Sequence, residues 1–195
     1  MAKNLPGFVS PMLARAGEPF DDEKFWCEIK WDGIRALLFK DGSGSRLLSR
    51  NGNRIEARCP KALEVDIPKG SVLDGELVAF RDGAPDFGSS LEEGTEKILV
   101  AFDILYQKYE SVMDQPLSSR REILEGIVPE GEIITVPQIH SKGTELFEHV
   151  SAQGIEGIVA KRIDSQYFPG KRSDSWIKIK RGSSHKSVHN IWRVD

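Results

Sequence analysis

Lys30 closes the stretch Trp26-Cys27-Glu28-Ile29-Lys30, which reads as a strand, and Asp32-Gly33 then turns the chain into a second strand from Ile34 to Lys40. Alternation puts Trp26, Glu28 and Lys30 on one side of the first strand and Cys27 on the other. A lysine and a carboxylate thus meet beside a turn whose glycine admits close approach of another molecule. A free lysine, with a pKa of about 10.4, is mostly protonated and inert at neutral pH. Desolvation and neighbouring cations disfavour the ammonium form and generate a nucleophile. Near the other end, Trp176-Ile177-Lys178-Ile179-Lys180 turns Lys178 and Lys180 to one side, with Ile177 and Ile179 to the core. Those two lysines can supply the positive field. By itself the first stretch is an ordinary hairpin with a solvated lysine, and the last is an exposed lysine-rich edge strand. What argues against that plain account is a series of charged clusters in a fixed order between them.

The remaining pattern says what must hold these groups. Residues 1–15 form an extended lead-in with Phe8, Met12 and Leu13 as core candidates, and Gly17–Lys24 is turn-like. After the first hairpin, Asp41-Gly42-Ser43-Gly44 is a second turn, leading to a strand over Arg46–Arg50. A short helix is expected over Pro60–Val65, a strand over Ser71–Arg81, and a buried strand over the apolar run Ile98–Tyr106. Ser119-Arg120-Arg121-Glu122 reads as a capping box opening a helix to about Glu125. Ile133–His140 reads as a strand, and Thr144–Gln153 as a helix with Leu146, Phe147 and Val150 on one face and Gly154 as its stop. Ile155–Arg162 and Trp176–Lys180 are the last strands. Hairpins mixed with short helices, without regular β-α-β alternation, indicate an α+β fold with antiparallel sheets.

Bulk properties restrict the partners. The 195 residues suffice for one substantial core, and 39% hydrophobic with 29% charged residues describes a globular chain. No apolar run reaches membrane-spanning length and no signal-peptide pattern opens the chain, so a reducing cytoplasm is expected. Two cysteines, Cys27 and Cys59, make neither a disulfide framework nor a zinc site. His185 and His189 have helical ligand spacing but no third partner, and are read as tail residues. A formal net charge of −3 argues against tight, unaided gripping of DNA, while leaving room for a local basic patch.

Lys30-Trp31-Asp32-Gly33-Ile34-Arg35 resembles the first motif of the covalent nucleotidyltransferases, the family of ATP-dependent polynucleotide ligases and mRNA capping enzymes. Ser49-Arg50-Asn51-Gly52 resembles the motif after it, Leu73-Asp74-Gly75-Glu76-Leu77-Val78 the third, and Ala101-Phe102-Asp103-Ile104-Leu105-Tyr106 its companion. Glu156-Gly157-Ile158-Val159-Ala160-Lys161 resembles the fourth motif, and Trp176-Ile177-Lys178-Ile179-Lys180 the fifth. Each alone is weak; the ordered set, from about Phe8 to Lys180, is strong. Phe8–Ala14 and Tyr167–Ser173 are most similar to bacterial end-joining DNA ligases.

The resemblance implies two antiparallel sheets flanked by helices, with a nucleotide cleft between them. It implies that Lys30 attacks the α-phosphate of ATP to form a lysyl-AMP, with Lys178 and Lys180 neutralising charge there. Glu156 and Glu76 are its candidate ligands for Mg2+, a hard cation that prefers oxygen. Phe102 would stack on adenine, Glu28 would lie beside its amino group, Arg35 and Arg50 would contact ribose or phosphate, and Arg172 is a candidate for a DNA phosphate. Asp74 and Asp32 fall to turns or supporting positions. In such enzymes the substrate is nicked duplex DNA, and an OB-fold domain with a sixth motif follows. Residues 1–180 are therefore expected to form the adenylation domain and 181–195 a basic tail too short for that barrel, so an OB-fold module is expected to act in trans. RNA ligation, capping and a non-catalytic nucleotide-binding repair adaptor are the alternatives, and the shortened Ala84–Lys97 segment speaks for the last.

Overall fold

The computed structural model describes residues 4–182 apart from 82–83, 87, 90–91, 93–94, 130, 132–133 and 136–138. Residues 183–195 of the expected basic tail, with His185 and His189, lie outside the described residues, as do parts of the expected Ala84–Lys97 loop. In chain order the elements are β1 (Leu13–Ala16), β2 (Phe25–Ile29), β3 (Ile34–Asp41), β4 (Gly44–Ser49), α1 (Lys61–Glu64), β5 (Ser71–Arg81), β6 (Ala84–Pro85), β7 (Lys97–Gln107) and β8 (Glu110–Ser111). There follow α2 (Leu117–Ile127), β9 (Ile134–Thr135), β10 (Ile139–His140), α3 (Gly143–Ala152), β11 (Gly157–Arg162) and β12 (Arg172–Lys180).

Two sheets result. One has the order β1-β12-β11-β2-β10; the other runs β4-β3-β5-β7-β8, with β6 added to β5 and β9 to β7. Both are antiparallel except for two parallel pairs, β1 with β12 and β7 with β9. The chain stacks as α1 and α2, second sheet, first sheet, then α3. The apolar runs explain this order. In β3 both faces are buried: Ala36 and Leu38 join Leu73, Leu77, Ile104 and Leu124 in a core under the helices, while Leu37 and Phe39 join Met12, Val100 and Trp176 in a core between the sheets. A strand buried on both faces must be apolar at consecutive positions, which is what Ala36–Phe39 supplies. The third core sets Leu146 and Val150 of α3 on Cys27, Ile158, Ala160 and Ile179 of the first sheet. No helix among the described residues is long and apolar enough to cross a membrane.

The lead-in is a strap between the sheets. Arg46 donates to the carbonyls of Pro6 and Gly7 at 2.6 and 2.7 Å, on the second sheet. Leu13 N–H then donates to Lys171 O at 2.9 Å, on the first. Met12, wholly buried, occupies the gap between.

Two expected elements differ. The helix expected to open with a capping box at Ser119 begins earlier, after Pro116, and Ser119 lies inside it. No side chain caps this end. Ser118 N–H is satisfied by the carbonyl of Ile163 at 3.1 Å, so a tertiary contact replaces the cap. The strand expected over Ile133–His140 divides between sheets, Ile134–Thr135 pairing with β7 and Ile139–His140 with β2.

Candidate active site in the cleft between the sheets

Register brings the charged clusters together. In the first sheet β11 lies between β2 and β12, with Val159 opposite both Glu28 and Lys178, and Lys161 opposite both Trp26 and Trp176. Glu28, Lys161, Trp176 and Lys178 therefore share one face, with Lys30 and Lys180 continuing it past the strand ends. In the second sheet Arg35 is opposite Glu76. On β7 the register with β5 passes from Asp74–Asp103 directly to Gly75–Ala101, so Phe102 is the extra residue of a bulge. Such a bulge re-aims one side chain, and Phe102, in the middle of an apolar run, lines the cleft. The cleft has a volume of about 310 Å³. Among its lining residues are Glu28, Lys30, Arg35, Arg50, Glu76, Phe102, Arg172, Lys178 and Lys180.

Glu156 completes the lysine end. Lys30 N–H donates to Gly157 O at 2.9 Å, and Arg181 N–H donates to Glu156 O at 2.9 Å. Those two bonds fix Glu156 between the ends of β2 and β12. Its Oε2 accepts from Lys30 Nζ, and its Oε1 is ion-paired with Lys180 Nζ. Gly157 has φ +152°, and a Cβ there would lie 2.0 Å from Ile179 O, so only glycine lets the strands approach this closely. At the preceding turn, a Cβ on Gly33 would lie 2.0 Å from Leu77 O.

The electrostatics follow. Burial pushes the Glu156 carboxyl up, but Lys180 and Lys30 outweigh it and hold it below the ordinary glutamate value. Lys178 is drawn below the ordinary lysine value by desolvation and by the cations Lys180, Arg172 and Lys30. Glu76 is pushed up to about 7, chiefly by burial, against the pull of Arg35 and Lys30. Lys178 and Lys180 thus share a cleft with Lys30, as the strand alternation requires. The carboxylate set between Lys30 and Lys180 is an addition that spacing alone does not give.

Arg35 serves first as a strut. Its Nε and Nη2 each donate at 2.6 Å to the fully buried Asp74, and its guanidinium lies 4.7 Å from the Phe102 ring centroid. Asp74 also accepts from the Tyr167 hydroxyl at 2.7 Å, which in turn accepts from Met12 N–H at 2.8 Å. Asp74 is therefore a supporting residue in mid-strand, while Asp32 is an exposed turn residue. Arg50 is exposed at one end of the cleft, and a second groove of about 320 Å³ beside Asn51 shares Arg35, Arg50 and Glu76 with it. Arg172, at the rim, donates to Ala14 O at 2.6 Å. Cys27 and Cys59 are buried and free, and desolvation raises both thiols.

The buried arginines are what the sequence reading missed. Leu117, Arg120, Arg121 and Leu124 form the buried stripe of α2. Arg120 grips Asp103 through Nε and Nη2 at 2.7 and 2.9 Å and donates to Gln115 O and Ser165 O. Arg121 donates to Phe102 O at 3.3 Å, and its Nη1 is 3.7 Å from Glu28 Oε1. The signal was present: Leu-x-x-Arg-Arg-x-x-Leu has the spacing of a core-facing stripe. Apolar patterning passes over it because it counts arginine as solvent-facing.

The family model of the ATP dependent DNA ligase domain matches residues 11–180. The chain is 35% identical over 181 residues to the SPbeta prophage-derived DNA ligase-like protein LigB of Bacillus subtilis, covering 88% of this chain and 67% of that one. It is 37% identical over 196 residues to the multifunctional non-homologous end joining protein LigD of Mycolicibacterium smegmatis, covering 96% of this chain but only 26% of that protein. A solved structure of mycobacterial DNA ligase D complexed with ATP and MES superimposes with a TM-score of 0.75 at 30% identity, over 89% of this chain and 60% of the other. With two facing sheets, a lysine-rich cleft and a family match along nearly its whole length, the chain belongs to the ATP-dependent DNA ligase domain family.

Proposed function

We propose that this chain is the adenylation domain of a DNA ligase, with Lys30 as its nucleophile and DNA repair as its setting. The observation that carries the reading is the joint ion pairing of Lys30 and Lys180 to one carboxylate, Glu156, beside Lys178 in a cleft with aromatic walls. The base sits at the Glu28–Phe102 end and the phosphates at the lysine end. Lys30 must give up a proton before it can attack, and Lys178 and Lys180 line the same cleft. Lys30 Nζ then attacks the α-phosphorus: a P–N bond forms, the bond to the β-phosphate oxygen breaks, pyrophosphate leaves with the electron pair, and the ammonium proton passes to solvent. Lys178 and Lys180 neutralise the charge that gathers on the five-coordinate phosphorus. A 5′-phosphate oxygen of nicked DNA next displaces Lys30 from AMP, and the 3′-hydroxyl finally displaces AMP. At the exposed rim of the cleft, Arg50 would contact ribose or phosphate of the nucleotide and Arg172 a phosphate of the DNA.

Magnesium fits this site. Among the described residues no cluster of three or more His, Cys, Asp or Glu could hold a metal unaided, but Mg2+ bound to phosphates needs only one or two carboxylates. Glu156 is the ligand held ionised here, with Glu76 second because its carboxyl titrates near neutrality. When bound, the ion neutralises phosphate charge as the P–N bond forms.

The test is intact mass after incubation with ATP and magnesium, beside Lys30→Ala. The expected result is one AMP added to the unaltered chain and none to the variant; equal addition to both would remove Lys30 from this role.

A further inference from the structure

A closed circuit of polar contacts lies behind the Arg35 wall of the cleft. The Tyr167 hydroxyl donates to Asp74 Oδ2 at 2.7 Å and accepts from Met12 N–H at 2.8 Å. Asp74 holds the Nε–Nη2 edge of Arg35, and the same Nη2 lies 3.4 Å from Met12 O. The circuit thus joins the lead-in strap, β3, β5 and the loop before β12. Tyr167 is seated in it by more than its hydroxyl. Its N–H donates to Met113 O at 2.8 Å, and its ring meets Trp176 edge-on with centroids 5.7 Å apart. Tyr167, Asp74 and Met12 are all buried and do not line the cleft, so they cannot touch a ligand there. Arg35 is the member that does line it. With Nε and Nη2 engaged, Nη1 is the nitrogen left over. It donates to no group among the described residues, and it is not closed off from solvent.

The hydroxyl does more here than pack. A buried carboxylate with a single partner can rock about its own bond, and a guanidinium paired to it rocks with it. A second donor on Oδ2, itself fixed by a backbone N–H, stiffens both. Burial and the Asp74 charge hold the phenol well above its ordinary range, so it is a donor throughout neutral pH. We propose that Tyr167 is a positioning residue for nucleotide binding: its hydroxyl, through Asp74, fixes the plane of Arg35 so that Nη1 faces the nucleotide in the cleft. This rests on the reading of the cleft as a nucleotide site with Arg35 on ribose or phosphate. A phenylalanine keeps the ring against Trp176 but leaves Asp74 with Arg35 alone and Met12 N–H without its acceptor. The guanidinium then keeps its charge and loses its set direction, on which the strength of an arginine fork depends.

The experiment measures by calorimetry the affinity for α,β-methylene ATP with magnesium, an analogue whose carbon bridge prevents loss of pyrophosphate. The proteins compared are the unaltered chain, Tyr167→Phe, Arg35→Lys and the double variant, with folding checked by circular dichroism. Lysine at position 35 keeps a charge but has no fork to orient. Tyr167→Phe is expected to weaken binding about three- to tenfold, part of the worth of one charge-assisted hydrogen bond. In the Arg35→Lys background the same change is expected to weaken it less than about twofold, since groups that act through one another are not additive. Should Tyr167→Phe not fold, Asp74→Asn interrupts the same link and is judged by the same comparison. An equal loss in both backgrounds overturns the proposal, because a tyrosine that merely supports the fold would weaken both alike. Unchanged affinity in Tyr167→Phe overturns it as well. An unaltered chain that binds no analogue and takes no label from ATP would overturn the function proposed above, and this inference with it.

Discussion

At the scale of single residues, the site is a set of charges whose protonation is decided by their neighbours. Glu156 pairs with two lysines of the cleft and Glu76 lines it, yet the lysines hold the first below the ordinary glutamate value while burial pushes the second to about 7. The second has a consequence for stability. Glu76 rises from an ordinary 4.5 to about 7 on folding. Between those values the native chain holds a proton that the unfolded chain has released, so its contribution to stability falls as pH rises through that window and stays low above it. Glu76→Gln, with no proton to lose, is expected to raise the melting temperature relative to the unaltered chain more at pH 8 than at pH 5. Thermal unfolding at the two values checks this; a difference independent of pH would mean that Glu76 ionises at no cost.

At the scale of elements, what positions the site is mostly backbone register. β11 sets Lys161 and Val159 against both of its neighbours, and the bulge on β7 turns Phe102 into the cleft. Helix α2 braces that bulged strand through Arg120, whose ion pair with Asp103 is fully buried on both sides. Removing one partner of such a pair strands the other charge. Arg120→Ala is expected to destabilise the fold by about 3–5 kcal/mol in denaturant unfolding; a loss below about 1 kcal/mol would show that water reaches Asp103 freely. The sequence alone made most of this frame legible. The strand over Ser71–Arg81 is read to the residue, since a long β-rich run closed by Asp82-Gly83 has few other readings. The inward turn of Ile177 and Ile179 likewise follows from alternation. The start of α2 was not legible, because the N–H of Ser118 in its first turn is satisfied by Ile163, which sequence proximity cannot reveal. Nor was the division of Ile133–His140 between sheets, because two-residue pairings carry no periodicity. Within the site, residue types named the lysines and carboxylates. That Glu156 would bridge Lys30 and Lys180, and that Asp74 would engage Arg35, depend on contacts across 126, 24 and 39 positions, respectively.

At the scale of the whole molecule, the cleft is built jointly by two sheets held by the lead-in strap and the core between them. On the proposed account the first step needs only this body, ATP and magnesium, whereas sealing needs a grip on the duplex. With a net charge of −3, these 195 residues are expected to label themselves with AMP readily and to seal a nick weakly, the sealing falling further as salt rises. An OB-fold module supplied in trans is expected to raise sealing without changing the labelling rate. Gel-based sealing of a nicked duplex across a salt series measures this, and robust, salt-tolerant sealing by the chain alone would count against it. The most direct measurement of all is to locate the nucleotide: peptide mass mapping after exposure to ATP and magnesium. The account expects AMP on the peptide carrying Lys30 and on no other. AMP on Lys178 or Lys180, or nucleotide bound with no covalent adduct at all, would contradict it.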